Sequence, residues 1–239
     1  MSTQYPKIIS LVDSRAGATE EFRILRTNLQ FMGIEKKINR IVLTSTQPGE
    51  GKTTISANLA VVTAQAGSKV LVIDCDLRRP ALHQMFNEKL SPGVTSYFTS
   101  KDKDKVSAVI KKTAVENLDI VTTGTLPPNP SELLASGKMR MFIEEVSKGY
   151  DFVILDAPPS GPFADASMLS KMCDGVLYVC GSGEAKKEFV KKTIEGFKKI
   201  DANIVGVVVN KITKKTLSYN YGNYSYYHSY YRDDNESDK

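Results

Sequence analysis

Residues 40–54 read Arg-Ile-Val-Leu-Thr-Ser-Thr-Gln-Pro-Gly-Glu-Gly-Lys-Thr-Thr. Arg40–Ser45 has the apolar, β-branched character of a buried strand, and a helical pattern opens at Lys52. A glycine-bearing turn between a strand and a helix, closed by Lys-Thr, is the setting of a phosphate-binding loop. The general pattern is G-x-x-x-x-G-K-[ST], and Thr46 stands here in the first glycine position. Gly49 and Gly51, flanked by Pro48 and Glu50, let backbone N–H groups turn inward around phosphate oxygens. The helix N-terminus at Lys52, Thr53 and Thr54 adds about half a positive charge. Lys52 supplies a mobile cation for β- and γ-phosphates, and Thr53 a hydroxyl for Mg²⁺. The bland alternative is a glycine-rich turn followed by a chance Lys-Thr; the strand before it and the helix after it argue against that.

Outward from this loop, strands and helices alternate. Further strands are expected at Lys69–Ile73, Leu118–Thr122, Phe152–Leu155, Gly175–Cys180 and Ile204–Val209. Helical patterns lie at Thr19–Met32, Lys52–Ala66, Ser131–Lys148, Ala164–Met172 and Glu184–Ile200, with Gly67 placed for a C-terminal cap. The expected fold class is α/β: a P-loop NTPase with a mostly parallel sheet and helices on both faces. Residues 1–18 read as an irregular arm, 19–210 as the P-loop domain, and 211–239 as a flexible tail. Residues 100–105 read as a charged, solvated loop. Seven tyrosines (Tyr219, Tyr221, Tyr224, Tyr226, Tyr227, Tyr230, Tyr231) crowd 219–231 with almost no aliphatic neighbours, a composition that cannot build a core.

Two strands end in acids. Val70–Ile73 runs into Asp74-Cys75-Asp76-Leu77-Arg78-Arg79-Pro80, and Phe152–Leu155 into Asp156-Ala157-Pro158-Pro159. Ligands of open parallel sheets bind beyond the carboxyl ends of the strands, so three carboxylates should converge beside the phosphate loop. One can help hold Mg²⁺ and another can take a proton from a nucleophile. A helix cap is the plain alternative for each single Asp. For Asp74 and Asp76 beside Arg78 it is weaker, because paired acids repel unless a cation sits there.

Composition narrows the class. The chain has 239 residues, 41% hydrophobic and 25% charged, and a net charge of +5. That suits one globular α/β domain, and the charge is too mild to argue for nucleic acid. Three cysteines, Cys75, Cys173 and Cys180, fit neither a zinc site nor a disulfide framework, so a reducing cytosol is expected. No apolar run approaches the roughly 20 residues of a membrane span, and residues 1–20 show no signal peptide. On the first long helix, Phe22, Leu25, Leu29 and Met32 form an apolar face. Glu20, Arg23 and Arg26 recur every three residues, which by periodicity alone is a solvated stripe with one ion pair. The lysine-rich stretch Ala185–Lys199 likewise reads as solvated surface.

Together S-x-x-P-G-E-G-K-T at 45–53, V-L-V-I-D-C-D-L-R-R-P at 70–80, P-P-N-P-S-E-L-L at 127–134, F-V-I-L-D-A-P-P at 152–159, E-x-x-R-x-x-R at 20–26 and the tyrosine cluster resemble the bacterial tyrosine kinases of capsule and exopolysaccharide synthesis. The likeness covers about residues 10–231. It is nearest the Firmicutes form, in which the kinase is separate from its membrane-spanning activator. The resemblance implies that Lys52 and Thr53 bind phosphate and Mg²⁺, that Asp76 and Asp156 help hold the metal, and that Asp74 is the base for a tyrosine hydroxyl. It moves Glu20, Arg23 and Arg26 to the interface of a ring-shaped homo-oligomer and implies autophosphorylation of the seven tail tyrosines. A phosphotyrosine phosphatase would reset them. The implied location is cytoplasmic, at the inner face of the plasma membrane beside the activator. Asn210 ends the last strand where related P-loop proteins read adenine, and Arg78 is a candidate for neutralising developing charge. The P-P-N-P stretch shows no physical role beyond a rigid turn before a helix.

Rival readings carry different marks. A partition- or positioning-type ATPase usually has an extra lysine early in the loop, and residues 46–50 contain none. An iron–sulfur carrier needs a C-x-x-C pair, which this chain lacks. A scaffold whose ATP site only controls assembly stands open as an additional role.

Overall fold

The computed structural model describes residue 5 and residues 7–34, 37–99 and 106–212. The tail tyrosines and the charged loop at 100–105 lie outside the described residues. In chain order the elements are α1 (Ile9–Val12), α2 (Gly17–Met32), β1 (Arg40–Ser45), α3 (Lys52–Gln65), β2 (Val70–Asp74), α4 (Leu82–Met85) and α5 (Val94–Thr99). A 3-10 turn at Val106–Ala108 precedes β3 (Lys111–Lys112), β4 (Leu118–Val121), α6 (Pro130–Ala135), α7 (Gly137–Ser147), β5 (Phe152–Asp156), α8 (Asp165–Ser170), β6 (Gly175–Gly181), α9 (Lys187–Lys199) and β7 (Ile204–Asn210).

The strands form one seven-stranded sheet in the order β3-β4-β2-β5-β1-β6-β7. Every pairing is parallel except β3 with β4. Helices link β1 to β2, β4 to β5, β5 to β6 and β6 to β7, so these strands run in the same direction, whereas the direct turn from β3 to β4 reverses the chain. The central strands are buried on both faces, which is why they read as unbroken Val/Ile/Leu runs rather than alternating ones. On one face, Ile55, Leu59 and Val62 of α3 pack with Ile41, Leu43, Val72 and Ile154. On the other, Met139, Phe142, Ile143 and Val146 of α7 pack with Val42, Leu71, Ile73 and Leu155.

Three local readings differ from the structure. Over its described residues, the arm before α2 is packed rather than irregular, with a short helix at Ile9–Val12. Tyr5 and Ile8 are buried, Tyr5 meets the Phe86 ring edge-on at 5.6 Å, and its hydroxyl accepts the Ala114 N–H at 3.0 Å. The single helix expected over Ser131–Lys148 is two, because Ser136 is extended (φ −71°, ψ 150°) and caps the Met139 N–H with its hydroxyl. β3 is two residues long, too short for periodicity to reveal, and lies at the sheet edge.

Candidate active site

Sheet order builds the site. β2, β5 and β1 are neighbours, so the acid ending β2, the acid ending β5 and the loop after β1 come together at one edge. Asp74 and Asp156 stand opposite each other in the β2–β5 register.

The loop after β1 needs its glycines. Gly49 and Gly51 have φ of +88° and +95°, the left-handed region that side chains resist. A Cβ on Gly51 would also lie 2.1 Å from Asn210 Nδ2. Thr46 takes no positive φ, so the missing first glycine is harmless. Its hydroxyl bonds the Tyr178 hydroxyl at 2.7 Å, and its carbonyl accepts the Gly161 N–H at 3.0 Å. Glu50 is fully buried and braces the loop from inside. Its Oε2 accepts the Gln47 N–H at 2.8 Å and its Oε1 the Gly181 N–H at 3.0 Å. Asn210 Nδ2 donates to the Glu50 carbonyl at 2.9 Å. Glu50 and Asn210 therefore shape the loop, with Asn210 joining the end of β7 to it.

Lys52 and Thr53 open α3. Lys52 is buried at 8% exposure. The Thr53 hydroxyl donates to Asp156 Oδ2 at 2.5 Å, and Ser56, three residues on, donates to Asp156 Oδ1 at 3.1 Å. Ser56 was not singled out in sequence; its one signal is its place one turn after Thr53. Burial raises the Asp156 carboxyl to about 6, while the Thr53 hydroxyl and the Lys52 ammonium pull it back.

Asp74 is fully buried. Its Oδ2 accepts the Leu82 N–H at 3.1 Å and its Oδ1 the Asp76 N–H at 3.2 Å, while the Thr123 hydroxyl donates to its carbonyl at 3.3 Å. Burial, then the charge of Asp156, holds its carboxyl well above the usual range. Asp76 is half-buried, and its Oδ1 accepts the N–H groups of Arg78 and Arg79 at 3.2 and 2.9 Å. Among the described residues, no three acidic, histidine or cysteine side chains form a ready-made metal cage. A hydroxyl beside two or three carboxylates and a phosphate loop nevertheless fits Mg²⁺, which takes one or two carboxylates and completes its shell with water and phosphate.

Arg78 faces elsewhere with its observed bonds. Its Nε donates to Asp165 Oδ2 at 2.8 Å, and its Nη2 donates to Ser131 Oγ at 2.7 Å and Asp165 Oδ1 at 3.3 Å. Ser131 belongs to the P-P-N-P-S segment, so that stretch gains a physical role: it delivers this hydroxyl.

On α2 the stripe divides. Arg23 Nη1 pairs with Glu20 Oε2 at 2.9 Å and its Nη2 donates to the Ser14 carbonyl at 3.0 Å. Arg26 turns toward α3, and its Nη1 donates to the Val62 carbonyl at 3.0 Å. Leu29 is buried and Phe22 and Leu25 are partly so, but Met32 is exposed, with Ile24 and Phe31.

Comparison with known proteins identifies the family and the fold. Residues 37–205 match the family model described as AAA domain. The chain is 37% identical over 215 residues to the tyrosine-protein kinase YwqD of Bacillus subtilis, covering 90% of each chain. It is 36% identical to the tyrosine-protein kinase CpsD of Streptococcus agalactiae, covering 90% of this chain and 95% of the relative. The crystal structure of the chimerical protein CapA2B2 superposes with a TM-score of 0.83 at 37% identity, over 88% of this chain and 92% of that one. The kinase domain of the Escherichia coli tyrosine kinase ETK gives 0.82 at 34%, over 87% and 80%. MinD of Pyrococcus horikoshii, solved with Mg-ADP, gives 0.61 at 23%, over 74% and 72%, a likeness of fold alone. On these grounds the chain belongs to the bacterial tyrosine-protein kinases built on a P-loop domain.

Proposed function

We propose that this chain transfers the γ-phosphoryl group of ATP to tyrosine hydroxyls, its own residues 219–231 foremost, and thereby regulates capsular or exopolysaccharide synthesis. The observation that carries the reading is a buried acid, Asp74, set in register beside Asp156 and the phosphate loop. Phosphoryl transfer asks the protein mainly for positioning and charge neutralisation. The loop N–H groups and Lys52 bind and orient the phosphates. Thr53, Asp76 and Asp156 would hold Mg²⁺, which supplies neutralisation of the transferring group when bound. Asp74 takes the tyrosine proton. A phenol titrates near 10, so a carboxylate placed to take its proton as the new bond forms is useful.

The fold shared with MinD does not favour a positioning ATPase, because relatives at 36–37% identity over most of this chain are named tyrosine-protein kinases. The wider reading comes from the family. A ring of unphosphorylated copies would present each tail to a neighbour, and a membrane-spanning activator would hold the kinase at the inner membrane face. No helix among the described residues is long and apolar enough to cross a membrane. Each phosphate adds about −1.5 to −2 charges, so full modification would reverse the net charge and favour release from the ring.

The test incubates the chain with labelled Mg-ATP and activator, then hydrolyses it for phosphoamino acids. Phosphotyrosine that disappears when all seven tail tyrosines become Phe supports the reading. Phosphate release without phosphotyrosine would return the chain to the ATPases.

A further inference from the structure

Asp165 is a fully buried carboxylate at the start of α8, nine residues beyond Asp156. A lone buried carboxylate is strongly unfavourable, so its partners reveal its purpose. Arg78 closes on it with two donors, Nε to Oδ2 at 2.8 Å and Nη2 to Oδ1 at 3.3 Å. The Ser131 hydroxyl donates to Asp165 Oδ1 at 2.7 Å and accepts Arg78 Nη2 at 2.7 Å. The Phe163 ring covers the guanidinium at 4.0 Å. A carboxylate, a hydroxyl and an aromatic face thus fix the planar Arg78 fork from three sides.

The three polar partners come from three strand ends. Arg78 follows β2, Ser131 begins α6 after β4, and Asp165 follows β5. The loop they pin is the one that aims Asp76. Its carboxylate accepts the N–H groups of Arg78 and Arg79, so it is oriented by the same two peptide units that the Arg78 side chain anchors. Two of the guanidinium's nitrogens are already committed to protein acceptors, which does not suit a group whose work is to touch phosphate.

We propose that Arg78, Asp165 and Ser131 form a positioning clamp that holds Asp76 in place for the Mg²⁺-nucleotide, acting through the backbone of residues 76–79. The inference rests on the phosphate-loop reading of the site and assigns Arg78 a role different from direct charge neutralisation.

The test measures ADP affinity by calorimetry, with Mg²⁺ and with EDTA, for Ser131→Ala, Asp165→Asn, Arg78→Lys and the Arg78→Lys/Asp165→Asn double variant. Ser131→Ala removes one hydroxyl and keeps the ion pair, so it provides a folded variant even if the others are weakened. The clamp predicts affinities in EDTA within about two-fold of the parent. It predicts that the gain from Mg²⁺ shrinks by roughly ten-fold or more in the Arg78 and Asp165 variants, the scale for groups that orient a metal ligand, and by less in Ser131→Ala. The double variant should be no worse than Arg78→Lys alone, because both changes break one device. An unchanged Mg²⁺ gain accompanied only by a lower melting temperature would overturn the proposal, since the clamp would then merely stabilise the fold. A further loss in the double variant equal to that of Asp165→Asn alone would overturn it too, by showing that the two side chains act independently. Because nucleotide binding is the readout, the result holds whether or not the parent makes phosphotyrosine.

Discussion

The Thr53 hydroxyl donates to Asp156 at 2.5 Å, which makes the phosphate loop and the end of β5 one hydrogen-bonded unit. Ser56 seals the other carboxylate oxygen. A cation entering between Thr53 and Asp156 must take over these contacts, so both residues should answer to it. Thr53→Ala and Asp156→Asn are each expected to reduce turnover by at least ~100-fold, the scale of lost charge-stabilising groups. Thr53→Ser should restore most of it. Initial rates against Mg²⁺ concentration check this, and unchanged kinetics in both variants would leave Asp156 as a buried structural acid.

The same burial has a consequence for stability. Folded Asp156 keeps its proton up to about pH 6, whereas its ordinary value is 3.8. Between these values the folded chain binds more protons than the unfolded one, so stability falls as pH rises through that window. Asp156→Asn removes the buried charge. It should raise the melting temperature of the nucleotide-free protein at pH 8 by about 2–8 °C, as relief of about 1–2 kcal/mol would in a chain of this size. The rest of the roughly 3 kcal/mol in the shift is offset, because Asn offers one acceptor oxygen to Thr53 and Ser56 where the carboxylate offers two. The gain should vanish at pH 4, where the parent carboxyl is neutral. Calorimetry at both pH values decides, and a lower melting temperature at pH 8 would sink the argument.

Glu50 holds the loop through two backbone N–H groups. Glu50→Ala strands both donors in the interior and is expected to cost about 2–6 kcal/mol, at about 1–3 kcal/mol for each group left unpaired. Gly51→Ala meets both a left-handed backbone and the Asn210 amide. Adding Asn210→Ala should recover only the steric part of its lost ATP affinity. Urea unfolding and nucleotide titration provide the two readouts. Full recovery in the Gly51→Ala/Asn210→Ala chain would show that the backbone conformation is unimportant.

The stripe on α2 should separate into two behaviours. Arg26 serves the monomer through the Val62 carbonyl, and Arg26→Ala is expected to cost about 1.5–3 kcal/mol, the range for a charged hydrogen bond. Glu20 and Arg23 share a half-exposed ion pair within one helix turn, so their alanine variants should change stability by less than about 1 kcal/mol. They should, however, lower the oligomer mass seen by light scattering. Unaltered mass in a Glu20→Ala/Arg23→Ala variant would return this stripe to solvated surface.

Much of the site was legible because local chemistry dictated it. Strand β1 and the start of α3 were readable from Arg40–Ser45 and Gly-Lys-Thr, since a phosphate loop requires both flanks. Asp74 and Asp156 were readable because acids at the carboxyl ends of apolar parallel strands fall where such sheets bind ligands. Asp165 was not, because nothing near it in sequence names its partners Arg78 and Ser131, 87 and 34 residues away. Glu50 looked like a loop residue open to ligand, yet it points inward to Gly181, a contact that only strand order creates. Tyr5 was hidden for the same reason: one aromatic in a polar arm carries no periodicity, and its site is built by Phe86 and Ala114. The division of Ser131–Lys148 at Ser136 had a local cause, a serine cap, inside a pattern that otherwise reads as continuous helix.

The central claim is that Lys52 and the loop around it transfer phosphate to tyrosine. Its most direct test is quantitative phosphotyrosine in Lys52→Met against the parent, each with Mg-ATP and activator, after circular dichroism has confirmed equal folding. The account predicts a folded variant with phosphotyrosine reduced by at least ~100-fold, because the transferring phosphate loses its main protein cation. Near-parental phosphotyrosine in Lys52→Met would contradict it.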